Sequence, residues 1–255
     1  MKFAFHATPK PRAQQALEEL KAKYGAVKPE KADVIVVVGG DGTMLRGLHQ
    51  YRDLDAPLFG LNLGTLGFLL NPYDRRVNLE KRIENAVHFT IRPLEMIATD
   101  KRGKKHTEVA FNEVSVLRET HNSAKIQVSI NDQVRLDELV CDGVMISTPV
   151  GSTAYNLSAG GPILPIDSNL LPITPISPFR PRRWAGALIR NNCTVTLDIL
   201  KAVERPVSAT ADSKEIRNVK SVIIKQSDTI AKTMLFDPDS PLEERIFKEQ
   251  FVQMC

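Results

Sequence analysis

The stretch VIVVVGGDGTML, residues 34–45, decides the fold. Its five leading residues are all branched and apolar, so a strand here has no polar face. Such a strand must be covered on both sides, as inside a parallel sheet. Two glycines end the run, an aspartate and a third glycine follow, and TMLRGLHQYRD then reads as a helix. In an open α/β sheet, ligands collect outside the carboxyl ends of the strands, and Gly39 and Gly40 stand at such an end. Glycine lets the backbone approach a ligand closely. Successive N–H groups form an anion nest, and the helix N-terminus adds partial positive charge. This unit predicts a phosphate cradle. It is neither a Walker A loop, since no Gly-Lys-Ser/Thr follows, nor a dinucleotide fingerprint, since the Gly-x-Gly-x-x-Gly spacing is absent.

Asp41 is the informative residue, because an acid beside phosphates is repelled unless a metal or a proton transfer accounts for it. A carboxylate within reach of a hydroxyl can take its proton as the oxygen attacks phosphorus. The plainer reading is a tight turn with Asp41 as a helix cap. Arg46, one helical turn beyond Gly42, can neutralise phosphate charge or be an exposed helix charge.

Outward from this stretch, strands and helices alternate. KFAFHA reads as a strand and PRAQQALEELKAKYG as a helix, with Ala13, Ala16, Leu17, Leu20 and Tyr24 at helical spacing. APLFGLNLG gives a strand and NLEKRIENAVH a helix. That order predicts an open, mostly parallel α/β layer. After Phe89 the chain reads mainly as strands, rich in Val, Ile and Thr: LEMIATD and KHTEVAFNEVSVLRE around a KRGK hairpin turn, then KIQVSIND, GVMISTPV, NCTVTLDIL and SVIIKQSD. The expected division is an α/β domain of residues 1–90 with 237–255, and a mainly β, sandwich-like domain of residues 91–236. The latter has one helical break at STAYNLSAGG, and SPLEERIFKEQF near the end reads as a helix returning to the α/β layer.

Composition narrows the classes. The 255 residues are 42% hydrophobic and 25% charged, ordinary for a globular chain, and the net charge of +4 suits an anionic small molecule better than nucleic acid. Cys141, Cys193 and Cys255 form no Cys-x-x-Cys pair, which argues against a disulfide framework or zinc site and predicts a cytoplasmic protein. No apolar run approaches the ~20 residues of a membrane helix, and MKFAFHATPK is too short in its apolar core for a signal peptide. Neither membrane nor nucleic acid is an expected partner.

Three further segments carry chemistry. Gly64 and Gly67 follow another strand and can wall the same crevice, with Phe68 as an apolar surface or a core residue. Asn112 and Glu113 interrupt a strand with adjacent polar groups. Neighbouring strand residues face opposite ways, so both reach one ligand only at a bulge or a strand end; an exposed edge is the bland alternative. In CDGVMISTPVGSTAYNLSAGGPIL, residues 141–164, a strand runs into small and polar residues. Tyr155 there can stack on a base, and Thr153 and Ser158 can hydrogen-bond it. SPFRPRRW, residues 177–184, reads first as a proline-stiffened solvated loop. The five histidines show no metal spacing.

Together, GGDGTML, GLNLGTLGFL, FNEVSV and DGVMISTPVGSTAYNLSAGGPIL resemble the NAD kinase family in order and spacing, over nearly the whole chain. TPISPFRPRRW looks like the alphaproteobacterial version. The resemblance implies the two domains above with an active site between them, and phosphorylation of the 2′-hydroxyl of the adenosine ribose of NAD. It implies Asp41 as general base, with Gly40, Gly42, Thr43 and Arg46 at nucleotide-binding positions and Asn112 and Glu113 holding adenosine. Thr153 and Ala154 fall at the adenine and Tyr155 stacks. Asn156 belongs to the same binding segment, Asp142 and Ser158 lie near the nicotinamide end, and Phe68 and Val150 line the pocket. It further implies ATP as donor, a divalent metal, usually Mg²⁺, and a homodimer or homotetramer. Two departures stand out: the first α/β unit is short, and ATADSKEI around Asp212 replaces the commoner Asp-Gly-Gln. The alternatives are a lipid kinase of the same superfamily and a non-catalytic dinucleotide sensor.

Overall fold

The computed structural model describes residues 1–64 and 67–238, in two compact units: Met1–Ile91 with the segment from Ile230 onward, and Arg92–Thr229. The expected helix over residues 240–251 lies outside the described residues.

The first unit runs β1 (Phe3–Ala7), α1 (Pro11–Tyr24), β2 (Val34–Gly39), α2 (Asp41–Gln50), β3 (Leu58–Asn62), β4 (Asn71–Pro72), α3 (Leu79–Glu84) and β5 (Val87–Ile91). In α1, Pro11 needs no hydrogen-bond partner at the first position. Ala13, Ala16, Leu17 and Leu20 bury one face, and Gly25 closes the helix at φ 71°, its N–H reaching the Lys21 carbonyl. All six residues of β2 are buried, as a two-sided apolar strand requires. β1, β2, β3 and the strand Lys232–Phe236 run parallel in that order; β5 adds antiparallel at the edge and β4 pairs with β3. Phe3, Val36, Val38, Phe59, Leu61 and Leu235 join the α1 and α3 apolar faces in one core.

Three expectations change here. α2 begins at Asp41, two residues before the expected start. α3 ends at Glu84, and Val87–His88, expected as helix, belong to β5. Residues 230–236, expected with the β domain, belong to the first unit, because Met234 and Leu235 pair in parallel with Leu58 and Phe59.

The second unit contains β6 (Leu94–Asp100), β7 (Lys105–Ala110), β8 (Glu113–Arg118), β9 (Ala124–Ile130), β10 (Gln133–Cys141), β11 (Gly143–Ser147), a single 3₁₀ turn (Val150–Thr153), α4 (Tyr155–Ser158), β12 (Leu170–Ile176), β13 (Ala187–Arg190), β14 (Val195–Ile199), β15 (Val207–Ala211), β16 (Lys214–Ile216) and β17 (Val219–Gln226). They form two antiparallel sheets, β10-β9-β14-β17-β6-β7 and β13-β12-β11-β8-β15-β16. Alternate residues of both, among them Met96, Val116, Ile126, Ile146, Leu197 and Ala209, bury a shared core. This is the sandwich the strand-rich sequence predicts.

The KRGK segment is a hairpin turn, with Asp100 Oδ1 accepting from the Arg102 and Lys104 N–H groups. Asn131 and Asp132, read as strand in KIQVSIND, instead form the β9–β10 turn, both at positive φ. The 177–184 loop is pinned to Val140, whose N–H reaches the Arg180 carbonyl at 2.8 Å while the Phe179 N–H reaches the Val140 carbonyl at 2.7 Å. Among the described residues, no helix is long and apolar enough to cross a membrane.

Candidate active site

In the first unit the glycine loop lines a cleft of about 450 Å³ with Thr8, Lys10, Arg12, Leu63 and Gly64, and with Asp41, Thr43 and Arg46 from α2. The loop is tight by necessity. A Cβ at Gly39 would stand 2.4 Å from Thr43 Oγ1, so only glycine lets the strand end this close to the helix. Thr43 is buried, and its hydroxyl accepts from Arg46 Nη2 at 3.2 Å.

Asp41 does not cap α2; Gly40 holds that place. Its two carboxylate oxygens accept from the N–H groups of Phe68 at 3.0 Å and Leu69 at 2.9 Å. One side chain thereby ties the second glycine-rich segment to the first and is itself fixed in orientation.

In the second unit Glu113 begins β8 and Asn112 stands just before it, at the strand end that lets adjacent side chains serve one ligand. The backbone here is held by side chains. Asp212, at φ 50°, accepts from the N–H groups of Phe111 (2.8 Å), Asn112 (3.0 Å) and Glu113 (3.3 Å). Thr148 Oγ1 donates to the Phe111 carbonyl at 2.6 Å, and the Thr148 N–H reaches the Asn112 carbonyl at 2.9 Å. Gly151 lies against the same carbonyl, where a Cβ would approach to 2.1 Å. The 3₁₀ turn carrying Val150 and Thr153 is therefore set by its contact with Asn112.

Beyond that turn, Tyr155 is 39% exposed and Ser158 is exposed, with Ala154 between turn and helix. Asn156 behaves differently from its expected place at the ligand. Its side chain is fully buried, donating to the carbonyls of Ser152 and Pro162 and accepting from the Thr174 hydroxyl at 2.6 Å. It closes the SAGGP loop onto the sheet. Asp142 stands at the other end of β11 from Ser147, the register partner of Glu113. Five residues of strand put it roughly 17 Å from the Asn112–Glu113 pair. Its Oδ1 accepts from Arg118 Nε at 2.6 Å.

Glu113 is the electrostatic anomaly. Burial, reinforced by the nearby Asp212 charge, pushes its carboxyl from 4.5 up to about 7, and Oε2 is buried without a hydrogen-bond partner. Between those two values the folded carboxyl keeps a proton that the unfolded one has released. Stability is therefore present below pH 4.5 and is lost as pH rises through about 7. The loss is on the order of 3 kcal/mol. Urea unfolding across pH 4.5–7.5 is expected to show this fall in the parent and to show it removed in Glu113→Gln. An unchanged slope in that variant refutes the assignment.

Two sets of residues escape a linear reading. Lys10, the residue before α1, and Arg12, in the first turn of α1, join the cleft; the strand-end rule that singled out Gly39 applies equally there. Asp212, whose segment departs from the commoner pattern, turns out to hold the Asn112–Glu113 backbone. Among the described residues, no group of three or more His, Cys, Asp or Glu side chains is arranged to hold a metal ion.

The two units each match known proteins. Residues 2–91 match the model of the ATP-NAD kinase N-terminal domain and residues 111–230 that of the ATP-NAD kinase C-terminal domain. The chain is 48% identical over 251 residues to the NAD kinase of Hyphomonas neptunium, covering 98% of both chains. It is 50% identical over 249 residues to that of Rhizobium meliloti, covering 98% of this chain and 96% of the relative. Among solved structures, an NAD kinase from Archaeoglobus fulgidus in complex with ATP shares the fold at TM-score 0.78 and 24% identity, covering 98% of each chain. Yeast NADH kinase complexed with NADH does so at TM-score 0.77 and 20% identity, covering 99% of this chain and 87% of that one. Matched in both units and along nearly its whole length, this chain belongs to the ATP-NAD kinase family.

Proposed function

We propose that this chain transfers the terminal phosphoryl group of ATP to the 2′-hydroxyl of the adenosine ribose of NAD, giving NADP. The observation that carries this reading is about 50% identity to curated NAD kinases over nearly the full length. The 2′-hydroxyl gives its proton to Asp41, its oxygen bonds to the γ-phosphorus, and the bond from that phosphorus to the bridging oxygen breaks, ADP leaving with the electron pair. Asp41 suits this role because both its oxygens are oriented by backbone N–H groups. A carboxylate oxygen with one bond made still has a lone pair for the hydroxyl.

Gly40, Gly42, Thr43 and Arg46 serve the nucleotide phosphates, with Phe68 as an apolar wall. Asn112 and Glu113 hold adenosine, Thr153 and Ala154 meet the adenine, Tyr155 stacks on it, and Val150 lines the pocket. Ser158 and Asp142 serve the nicotinamide end. Asn156 is a positioning residue, since its amide is already satisfied within its own loop.

The residues present fit a divalent metal, Mg²⁺ in our reading, that arrives on the donor phosphates. Among the described residues, Asp41 is the one carboxylate on the phosphate cleft, and a Mg²⁺ held through one carboxylate, phosphates and water would need no protein cage. When bound, it neutralises charge on the phosphate oxygens. The family resemblance also implies a cytoplasmic homodimer or homotetramer; light scattering on the purified protein tests the assembly.

The purified protein is to be incubated with NAD or NADH as acceptor, ATP or polyphosphate as donor, and Mg²⁺. NADP formed from NAD and ATP is the expected result. Tight NAD binding with no phosphoryl transfer from any donor would replace this reading with that of a sensor.

A further inference from the structure

We infer that Lys10 and Arg12 clamp the phosphates of the phosphoryl donor; the inference rests on the kinase reading above. β1 and β2 are parallel neighbours with Ala7 beside Val38, which sets the turn after β1 next to the glycine loop. That turn is firmly held. The Thr8 N–H reaches the Val38 carbonyl at 3.2 Å, and Gln14 Nε2 donates to the Thr8 carbonyl at 2.8 Å. Lys10 and Arg12 follow directly and line the glycine-loop cleft together with Arg46.

The cleft lining thus carries three cations and one carboxylate, Asp41, whose oxygens are both occupied by backbone N–H groups. The arginines Arg76, Arg82 and Arg118 each pair with an aspartate. Among the described residues, no ion pair engages Lys10, Arg12 or Arg46. Three cations against one carboxylate, around a nest of N–H groups, leave a net positive cleft that favours a polyanion.

The adjoining cleft identifies which polyanion. It measures about 710 Å³, shares Arg12 and Leu63 with the first, and continues along α1 past Gln15 to Tyr73 and Arg75. A ligand seated at Arg46 can therefore keep its anionic end by Arg12 and continue along α1, where Glu19 and Asp74 join Arg75 and Arg76 and the lining is mixed in charge. A triphosphate with its nucleoside trailing toward Tyr73 uses that path. The acceptor's adenosine is assigned to Asn112 and Glu113 in the second unit.

The test is the set Lys10→Ala, Arg12→Ala and the double variant, with Lys10→Arg and Arg12→Lys as conservative controls. Both side chains are exposed, so the fold is expected to survive, and melting curves check this. Losing two charge-assisted contacts is expected to raise the KM for ATP by about 10- to 100-fold in the double variant. The dissociation constant of a non-hydrolysable ATP analogue, measured by calorimetry, should rise equally. The KM for NAD should not move, and the conservative variants should keep most of the affinity.

An unchanged ATP KM and analogue affinity overturns the inference. So does a rise in the NAD KM with ATP unaffected, which would assign the pair to the acceptor. Should the parent protein make no NADP, the kinase reading fails separately. Analogue binding to the parent, and its loss in the double variant, then still decides the clamp.

Discussion

Asp41→Asn is expected to lower kcat by roughly 10²- to 10⁴-fold, the range a positioned general base contributes, while NAD still binds. The variant has a second, smaller consequence. Asparagine offers one oxygen and one NH₂ group where the carboxylate offers two acceptors to Phe68 and Leu69. One N–H then faces a donor, and a lost acceptor at a part-buried site costs about 1–3 kcal/mol. Turnover in a pre-steady-state assay reads the chemistry, and a thermal melt reads the loop. Were the aspartate only a brace, the melt would fall but kcat would recover at saturating substrate. Normal turnover in the variant removes the base assignment altogether.

The second large effect is expected at Asp212, a residue that touches no reacting atom in this scheme. Asp212→Ala strips the acceptor from the N–H groups of Phe111, Asn112 and Glu113 together. Water can reach part of this site, so the expected loss is about 2–4 kcal/mol, less than the sum of three fully buried donors. With the strand end released, Asn112 and Glu113 lose their shared geometry, and the KM for NAD should rise well beyond tenfold. Asp212→Asn keeps one acceptor and can occupy the same positive φ, so it should fall between. It also removes a charge that raises the Glu113 carboxyl, so the Glu113 titration should move down. Denaturant unfolding, NAD titration and the pH profile check the three parts. An Asp212→Ala variant with wild-type NAD affinity would show that the Asn112–Glu113 backbone needs no such anchor.

Much of the fold is legible along the chain. VIVVV reports a strand covered on both sides because no residue in it tolerates water. The α1 periodicity and its closing glycine report a helix with a defined end. Misread elements have local causes. β10 alternates poorly, its charged Arg135, Asp137 and Glu138 interrupting the apolar residues, and its pairing slips at Val134/Leu136 and Leu136/Leu139. β12 carries Pro172 and Pro175, which argue against an interior strand. α3 and β5 are joined by two residues, too few to break a helical pattern visibly.

The candidate site divides the same way. Gly40, Asp41 and Gly42 announce themselves, because a buried strand ending in glycines and an acid points to a site, whereas Arg46 reads as readily as an exposed helix charge. Lys10 and Arg12 give no signal, since a basic pair at a helix start is ordinary until the parallel pairing of β1 with β2 sets it beside Gly39. The partner of Asn112 and Glu113 lies about a hundred residues on, and no local pattern in ATADSKEI points back to it.

By itself the sequence determined the elements that local physics dictates: the two-sided strand, the amphipathic helix, the glycine turn, the acid beside it and the strand-rich second half. Only the tertiary structure decided which strands pair. It took Lys232–Phe236 out of the β half and set it parallel to β3. It also turned the Asp41 carboxylate onto the Phe68 and Leu69 N–H groups and brought Asp212 beneath the Asn112–Glu113 pair. Pattern fixes what each segment can bury, whereas a contact between distant segments depends on how all the buried faces are satisfied at once.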